Sequence, residues 1–189
     1  MKVIAASQID GNAAVDDKAL KAHLSCYLDH PPRRVDRLIL QALLGAAVLQ
    51  SRPRAESGLY LASSYPARPT MQALLEAVCV HGKLPKPFEF VNSVSNAAGF
   101  HVAQQLRLNG PNLFIGAGPD VWSDLTRLAG LDLAEGVIGQ ALLVLCDERD
   151  GFQVQALLLE PGDGGPLAGT DFASLTAGVR VTRLDLRTG

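Results

Sequence analysis

The sequence predicts an α/β layered domain built on a mixed sheet, on two observations. Short apolar runs of strand length alternate with longer helix-compatible segments, and Gly or Pro punctuates most junctions between them. The run Phe114-Ile115-Gly116-Ala117-Gly118-Pro119-Asp120 shows the unit in miniature: an apolar strand, a tight glycine turn and a helix start. A chain of 189 residues holds one ordinary core, so residues 1–189 are expected to be a single domain.

Taken in order, Lys2 to Ser7 is a short apolar run ahead of Asp10 and Gly11, and Asp16 to Leu28 has the mixed polarity of a partly helical stretch. After the Pro31-Pro32 break, Asp36 to Gln50 carries apolar or small side chains at almost every position and has no polar face wide enough for a surface helix. Such a helix requires burial all round. Gly58 to Ser63 reads as a strand. A helix is expected from Thr70, as N-cap, to His81, with Gly82 as its stop, and Pro85 and Pro87 mark a loop. Ala97 to Leu106 is helical in composition, Asn109-Gly110-Pro111 is a turn, and Asn112 to Ala117 is a strand. Pro119 opens a helix to Ala129, stopped by Gly130. Gly139 to Cys146 and Phe152 to Leu159 are strands joined by the acidic turn Asp147 to Gly151. Pro161 to Gly169 is a loop, and Val179 to Leu186 is a fifth strand with a bulge at Thr182-Arg183.

Composition excludes several roles. With 48% hydrophobic and 19% charged residues the chain collapses rather than staying disordered. Its net charge of −2 comes without a basic block to neutralise a phosphate backbone. The apolar stretches from Leu38 to Leu49 and from Val137 to Cys146 are too short for a membrane span. Met1 to Gly11 lacks the features of a secretory signal, which implies a cytoplasmic protein. Cys26, Cys79 and Cys146 form no CxxC pair and sit near no histidine cluster, so free thiols are expected, with no metal and no cofactor.

Chemistry-bearing groups are sparse. A nucleotide cradle at Gly116-Ala117-Gly118 fails because Val121 stands where the third glycine would be and Pro119 removes a backbone donor. The same corner holds no nucleophile. Ser123, Cys79 and Cys146 are the remaining candidates; each is more often a helix or core residue, and no base stands beside any of them in sequence. His101 reads as a satisfied core histidine, and His23, His30 and His81 as solvated ones. Arg33, Arg34 and Arg37 form a small basic patch that an acidic carrier protein could use.

Pro87-Phe88-Glu89-Phe90-Val91-Asn92-Ser93-Val94-Ser95-Asn96-Ala97, then His101-Val102-Ala103 and Leu108-Asn109-Gly110-Pro111-Asn112, resembles the N-terminal half of β-ketoacyl synthases, the thiolase-fold condensing enzymes. The resemblance implies a layered thiolase-like half-fold, a mixed five-stranded sheet with helices on both faces. It also puts Pro119 at the position of the family's catalytic cysteine, and the two catalytic histidines belong to a C-terminal half that the chain does not contain. Decarboxylative condensation by this chain alone is therefore not expected. Retention of the scaffold without the cysteine resembles the chain-length factors that pair with an active ketosynthase, and the short form resembles those of aryl polyene and xanthomonadin-type pathways. In that family the Gly-Pro-Asn strand pairs across the dimer axis, which implies an interface at Asn112, Leu113, Phe114, Ile115 and Gly116 with Asn96 close by. Phe90, Phe100 and Trp122 are the bulky candidates for an acyl cavity. The expected partner is a β-ketoacyl synthase, or a second copy of the chain, with an acyl carrier protein as a further one. The alternatives are an acyl transferase or decarboxylase with a non-standard nucleophile, and a binding module for acyl chains or carrier protein. If only half of a two-sheet enzyme is present, the Asp36 to Gln50 helix and the Val121 to Ala129 helix are expected to expose apolar faces.

Overall fold

A computed structural model describes residues 1–49, 52–148, 151–162, 167 and 169–187. The chain runs β1 (Lys2–Gly11), α1 (Asp17–Leu24), α2 (Arg37–Ala47), β2 (Gly58–Ser63), α3 (Arg68–Leu75) with a π-helical turn at Glu76–Val80, α4 (Pro87–Ser93), α5 (Ala97–Leu106), β3 (Asn112–Gly116), α6 (Val121–Ala134), β4 (Ala141–Asp147), β5 (Phe152–Glu160), α7 (Phe172–Leu175) and β6 (Val181–Asp185).

Alternation along the strands sends side chains to two cores. Ile9, Leu59, Leu61, Leu142, Val144, Val154 and Leu158 point to the side covered by α1, α2 and α5, and Ala6, Tyr60, Leu143, Leu157 and Leu159 to the side covered by α6 and α7. Helices thus lie on both faces, as expected. The sheet has six strands rather than five, in the order β3-β2-β4-β5-β1-β6. The sixth is the opening run, which extends to Gly11 because it is paired on both sides, antiparallel to β5 and parallel to β6. Its polar end is satisfied there: Gln8 and Gln153 donate to the two oxygens of Asp10 at 2.9 and 2.7 Å.

Helix α2 corrects the expectation of an exposed apolar face. Every residue from Leu38 to Ala46 is buried within this one chain, between the sheet and helices α1 and α5. Five of its residues are Leu or Ile, each contributing about 1.5–3 kcal/mol on full burial. Its start is held by Asp36, whose carboxylate accepts from the Leu38 N–H at 2.8 Å. Helix α6 also buries a stripe, Trp122, Leu125, Ala129 and Leu133, leaving Leu131 outside.

Other local expectations shift for identifiable reasons. Thr70 lies inside α3, whose N-cap is Ala67, and its hydroxyl donates to the Asp36 carboxylate instead. The π turn ends at His81, and Gly82 follows with φ +59. Pro87 starts a helix rather than a loop, because proline suits a first helical position and the Glu89 carboxylate accepts from the Lys86 N–H at 3.0 Å. Pro119 precedes α6, whose first helical residue is Val121, and α6 runs through Gly130 to Ala134 because its buried stripe continues to Leu133. Register between β6 and β1 is unbroken, and the irregularity lies in β1 between Val3 and Ala5, so that Ile4 and Ala5 face the same core. As an edge strand, β6 can break alternation at Thr182-Arg183 without a bulge. Residues 149 and 150 of the acidic turn, and 163–166 and 168 of the Pro161 to Gly169 loop, lie outside the described residues.

Close packing of α2 on the sheet has a measurable consequence. A Cβ on Gly45 would stand 2.5 Å from Val154 Cγ1, and the Gly45 carbonyl accepts from Ser7 Oγ at 2.7 Å, so the helix cannot lift away. Gly45→Ala is expected to cost about 1–3 kcal/mol in urea unfolding. Adding Val154→Ala should recover part of that loss, as the sign of the double-mutant coupling will show.

Candidate functional site

Strand β3 is placed by the turn before it. Asn109 N–H donates to Ala55 O and Leu59 N–H to Pro111 O, both at 2.7 Å, and a Cβ on Gly110 would stand 2.5 Å from the Ser57 carbonyl oxygen. Only glycine permits that approach. The strand then pairs with β2 in parallel register, Leu59 opposite Asn112 through Ser63 opposite Gly116, and among the described residues it pairs with no other strand. One edge of its backbone is therefore an open template for a further strand.

Its side chains divide between the two cores. Phe114 packs towards the α5 side and Ile115 towards the α6 side, both half-buried, while Leu113 and Gly116 are exposed. The expected neighbour Asn96 is brought to Asn112: a Cβ on Gly99 of α5 would stand 2.3 Å from Asn96 Oδ1 and 2.5 Å from Asn112 Oδ1. Both oxygens are buried without a hydrogen-bond partner.

Phe90, Phe100 and Trp122 are not brought together. Trp122 is 5% exposed in the α6-side core, with its ring 5.5 Å from Phe172, whereas Phe90 and Phe100 are 61% and 57% exposed and belong to α4 and α5 on the other side of the sheet. The exposed pair lies within a larger apolar surface that the sequence reading missed. Helices α3 and α4 and the π turn bury none of their residues, and Met71, Leu75, Val78, Val80, Phe88 and Val91 are all exposed, as is Leu84 between them. This arm is tied back to the core by Thr70 on Asp36 and by Asn92 Nδ2 donating to the Arg34 carbonyl at 3.0 Å. A signal was present in the density of Leu, Val and Phe from 71 to 94, but prolines 85 and 87 masked it as a loop.

The corner after β3 carries no reactive group. Gly116, Gly118, Pro119 and Asp120 are exposed, and a Cβ on either glycine would meet nothing. Cys146 is fully buried, and burial first, then the charge of Glu148, pushes its thiol well above the usual range. Cys79, expected to be buried, is exposed on the π turn, and Ser123 is half-buried on α6. Ser123 accepts from the Thr126 hydroxyl through its carbonyl at 3.1 Å, and His81 faces Glu76 at 3.8 Å. His101 lies half-buried on α5; burial lowers its pKa and its Nδ1 has no hydrogen-bond partner, so it is not the satisfied histidine expected. Arg37 leaves the basic patch, pairing with Asp17 at 3.3 Å and Glu148 at 3.4 Å and lying over the Phe152 ring, which leaves Arg33 and Arg34 exposed. Among the described residues no group of His, Cys, Asp and Glu could hold a metal, and no helix is long and apolar enough to cross a membrane.

No protein-family model and no curated protein matches the sequence. Solved structures do match. The ishigamide ketosynthase/chain length factor structure superposes with a TM-score of 0.69 over 88% of this chain and 64% of the other, at 14% identity. The ketosynthase in complex with its chain length factor from Xenorhabdus doucetiae gives 0.63 over 87% of this chain and 81% of the other, also at 14% identity. β-Ketoacyl-[acyl carrier protein] synthase III from Thermus thermophilus gives 0.52 over 87% of this chain and 53% of the other. The chain thus has the thiolase-like fold of ketosynthases and spans less than two thirds of the length of the first of these neighbours.

Two measurements follow. In the native protein Cys26 and Cys79 should react with a thiol reagent while Cys146 reacts only on unfolding; rapid native labelling of Cys146 would reopen it as a nucleophile. Glu148 titrates above the ordinary carboxylate range because burial outweighs the hydrogen bond from Gln41 and the charge of Arg37. Its protonated form therefore favours the fold, and that contribution is lost as pH rises from the ordinary Glu value through the raised one. Urea midpoints between about pH 4 and pH 8 should fall less in Glu148→Gln than in the parent.

Proposed function

We propose that this chain is a non-catalytic, chain-length-factor-type subunit that pairs with an active β-ketoacyl synthase through the open edge of β3, in fatty acid or polyketide-like synthesis of the aryl polyene kind. The observation that carries the reading is the combination at one corner: an unpaired strand edge, and directly after it Pro119 where a condensing enzyme would present its nucleophile. Strand addition supplies main-chain hydrogen bonds, and exposed side chains on the edge supply specificity. Leu113 on β3, Phe100 on α5, and Phe90 and Val91 on α4 offer apolar area that a lone soluble chain rarely leaves uncovered. Solved neighbours that include a ketosynthase together with its chain length factor agree with this arrangement.

In this reading the partner supplies the cysteine and histidines, and the present chain supplies one wall. Asn112, Leu113, Phe114, Ile115 and Gly116 with Asn96 form the contact, and Phe90 and Phe100 border the acyl cavity. Trp122, being core, acts on neither. A second copy of the chain in place of the ketosynthase is the competing occupant, and an acyl carrier protein would visit the complex rather than this chain alone.

The test is co-expression of the tagged chain with a ketosynthase from the same organism, read by mass spectrometry and light scattering. A one-to-one complex is expected. Leu113→Arg should weaken it at least tenfold while leaving the thermal midpoint of the isolated chain unchanged, because Leu113 is exposed; Phe114→Arg should also weaken it, at some cost in folding. Substituting Pro119 should leave turnover of the complex unaltered. Recovery of homodimer only, or condensation lost on changing Pro119, would refute the reading.

A further inference from the structure

On the side of the sheet away from Phe90 and Phe100, a cavity of about 790 Å³ runs beside α6. One wall is a single stripe of that helix, Ser123, Arg127, Gly130, Leu131 and Ala134, spaced at the four- and three-residue steps that share a helix face. At about 1.5 Å per residue the stripe is roughly 16 Å long. The opposite wall includes Pro161 and Met1.

Two features set this cavity apart from an ordinary surface hollow. Its polarity is graded: the hydroxyl of Ser123 and the guanidinium of Arg127 stand on the N-terminal half of the stripe, and Leu131 and Ala134 on the C-terminal half. Gly130 sits in the interior of a helix, where glycine costs about 1 kcal/mol relative to alanine, and a Cβ there would stand 3.0 Å from Met1 Cε on the facing wall. The missing side chain lets the Met1 side chain of the facing wall close against α6 at that point. Among the described residues Arg127 is paired only with Asp124, one turn away at 3.3 Å on the exposed surface; such a pair is worth little and can be exchanged for a ligand anion.

We infer that this cavity is a binding site for a single medium-length alkyl or acyl chain with an anionic head, the head on Arg127 and Ser123 and the tail along Leu131 and Ala134. A slender apolar ligand fits along a wall of this length, and the guanidinium on the polar half of the stripe favours an anionic head group. The site is separate from the β3 edge and does not depend on the pairing proposed above.

Dodecanoate, below its micelle concentration, titrated into the full-length chain tests this by calorimetry and by the fluorescence of Trp122, the only tryptophan, one residue from Ser123. Saturable one-to-one binding is expected, at least tenfold tighter than that of dodecan-1-ol. Arg127→Glu should remove the preference for the anion, and Ala134→Phe should weaken both ligands at least tenfold. Leu113→Arg should leave binding unchanged, which separates this site from the partner surface. Absence of saturation, equal binding of acid and alcohol, or indifference to both α6 substitutions would overturn the assignment.

Discussion

The need to enclose α2 organises this molecule. Its helix from Arg37 to Ala47 has no polar face, so the sheet must cover one side and α1 and α5 the others. That enclosure draws β1, β4 and β5 under the helix, fixes Gly45 against Val154, and sets α5 beside it in the layer that ends at β3. The rest of the arrangement follows from the second core, where Tyr60 donates its hydroxyl to Asp132 and ties β2 to α6 across the other face. Burial, then that hydrogen bond and the charge of Asp132, hold the phenol protonated far above the ordinary range.

Once both cores are closed, the apolar surface left over is concentrated rather than scattered. Most of it lies on the arm from α3 through α4, which buries none of its helical residues, and on α5 and β3 beside it. An arm with no buried residue gains little from folding against its own chain, and its exposed Leu, Val and Phe side chains gain from a surface that covers them. The open edge and the apolar arm therefore act in the same direction.

Corners of this kind can hold a nucleophile at the end of a helix, but here the groups are Gly116, Gly118 and Pro119. The buried thiol, Cys146, is held protonated by its surroundings, and among the described residues the exposed thiols have no base beside them in hydrogen bonding. What this corner presents is a sheet edge beside a helix layer.

The alternation of strands and helices, the all-round apolar character of α2 and the unreactive corner at Pro119 were determined by the amino-acid sequence alone. They depend on side-chain type at short separations, which periodicity and turn chemistry report directly. The sixth strand, the continuation of α6 through Gly130, the helix at Pro87 and the burial of α2 within one chain were decided only by tertiary structure. Each turns on a distant partner: β6 beside β1, the buried stripe ending at Leu133, Arg34 holding Asn92, and α1 and α5 closing over α2. Trp122 and Phe90 show the same division, since both read as bulky apolar residues in sequence, and only the course of the sheet between them puts one in a core and the other in solvent.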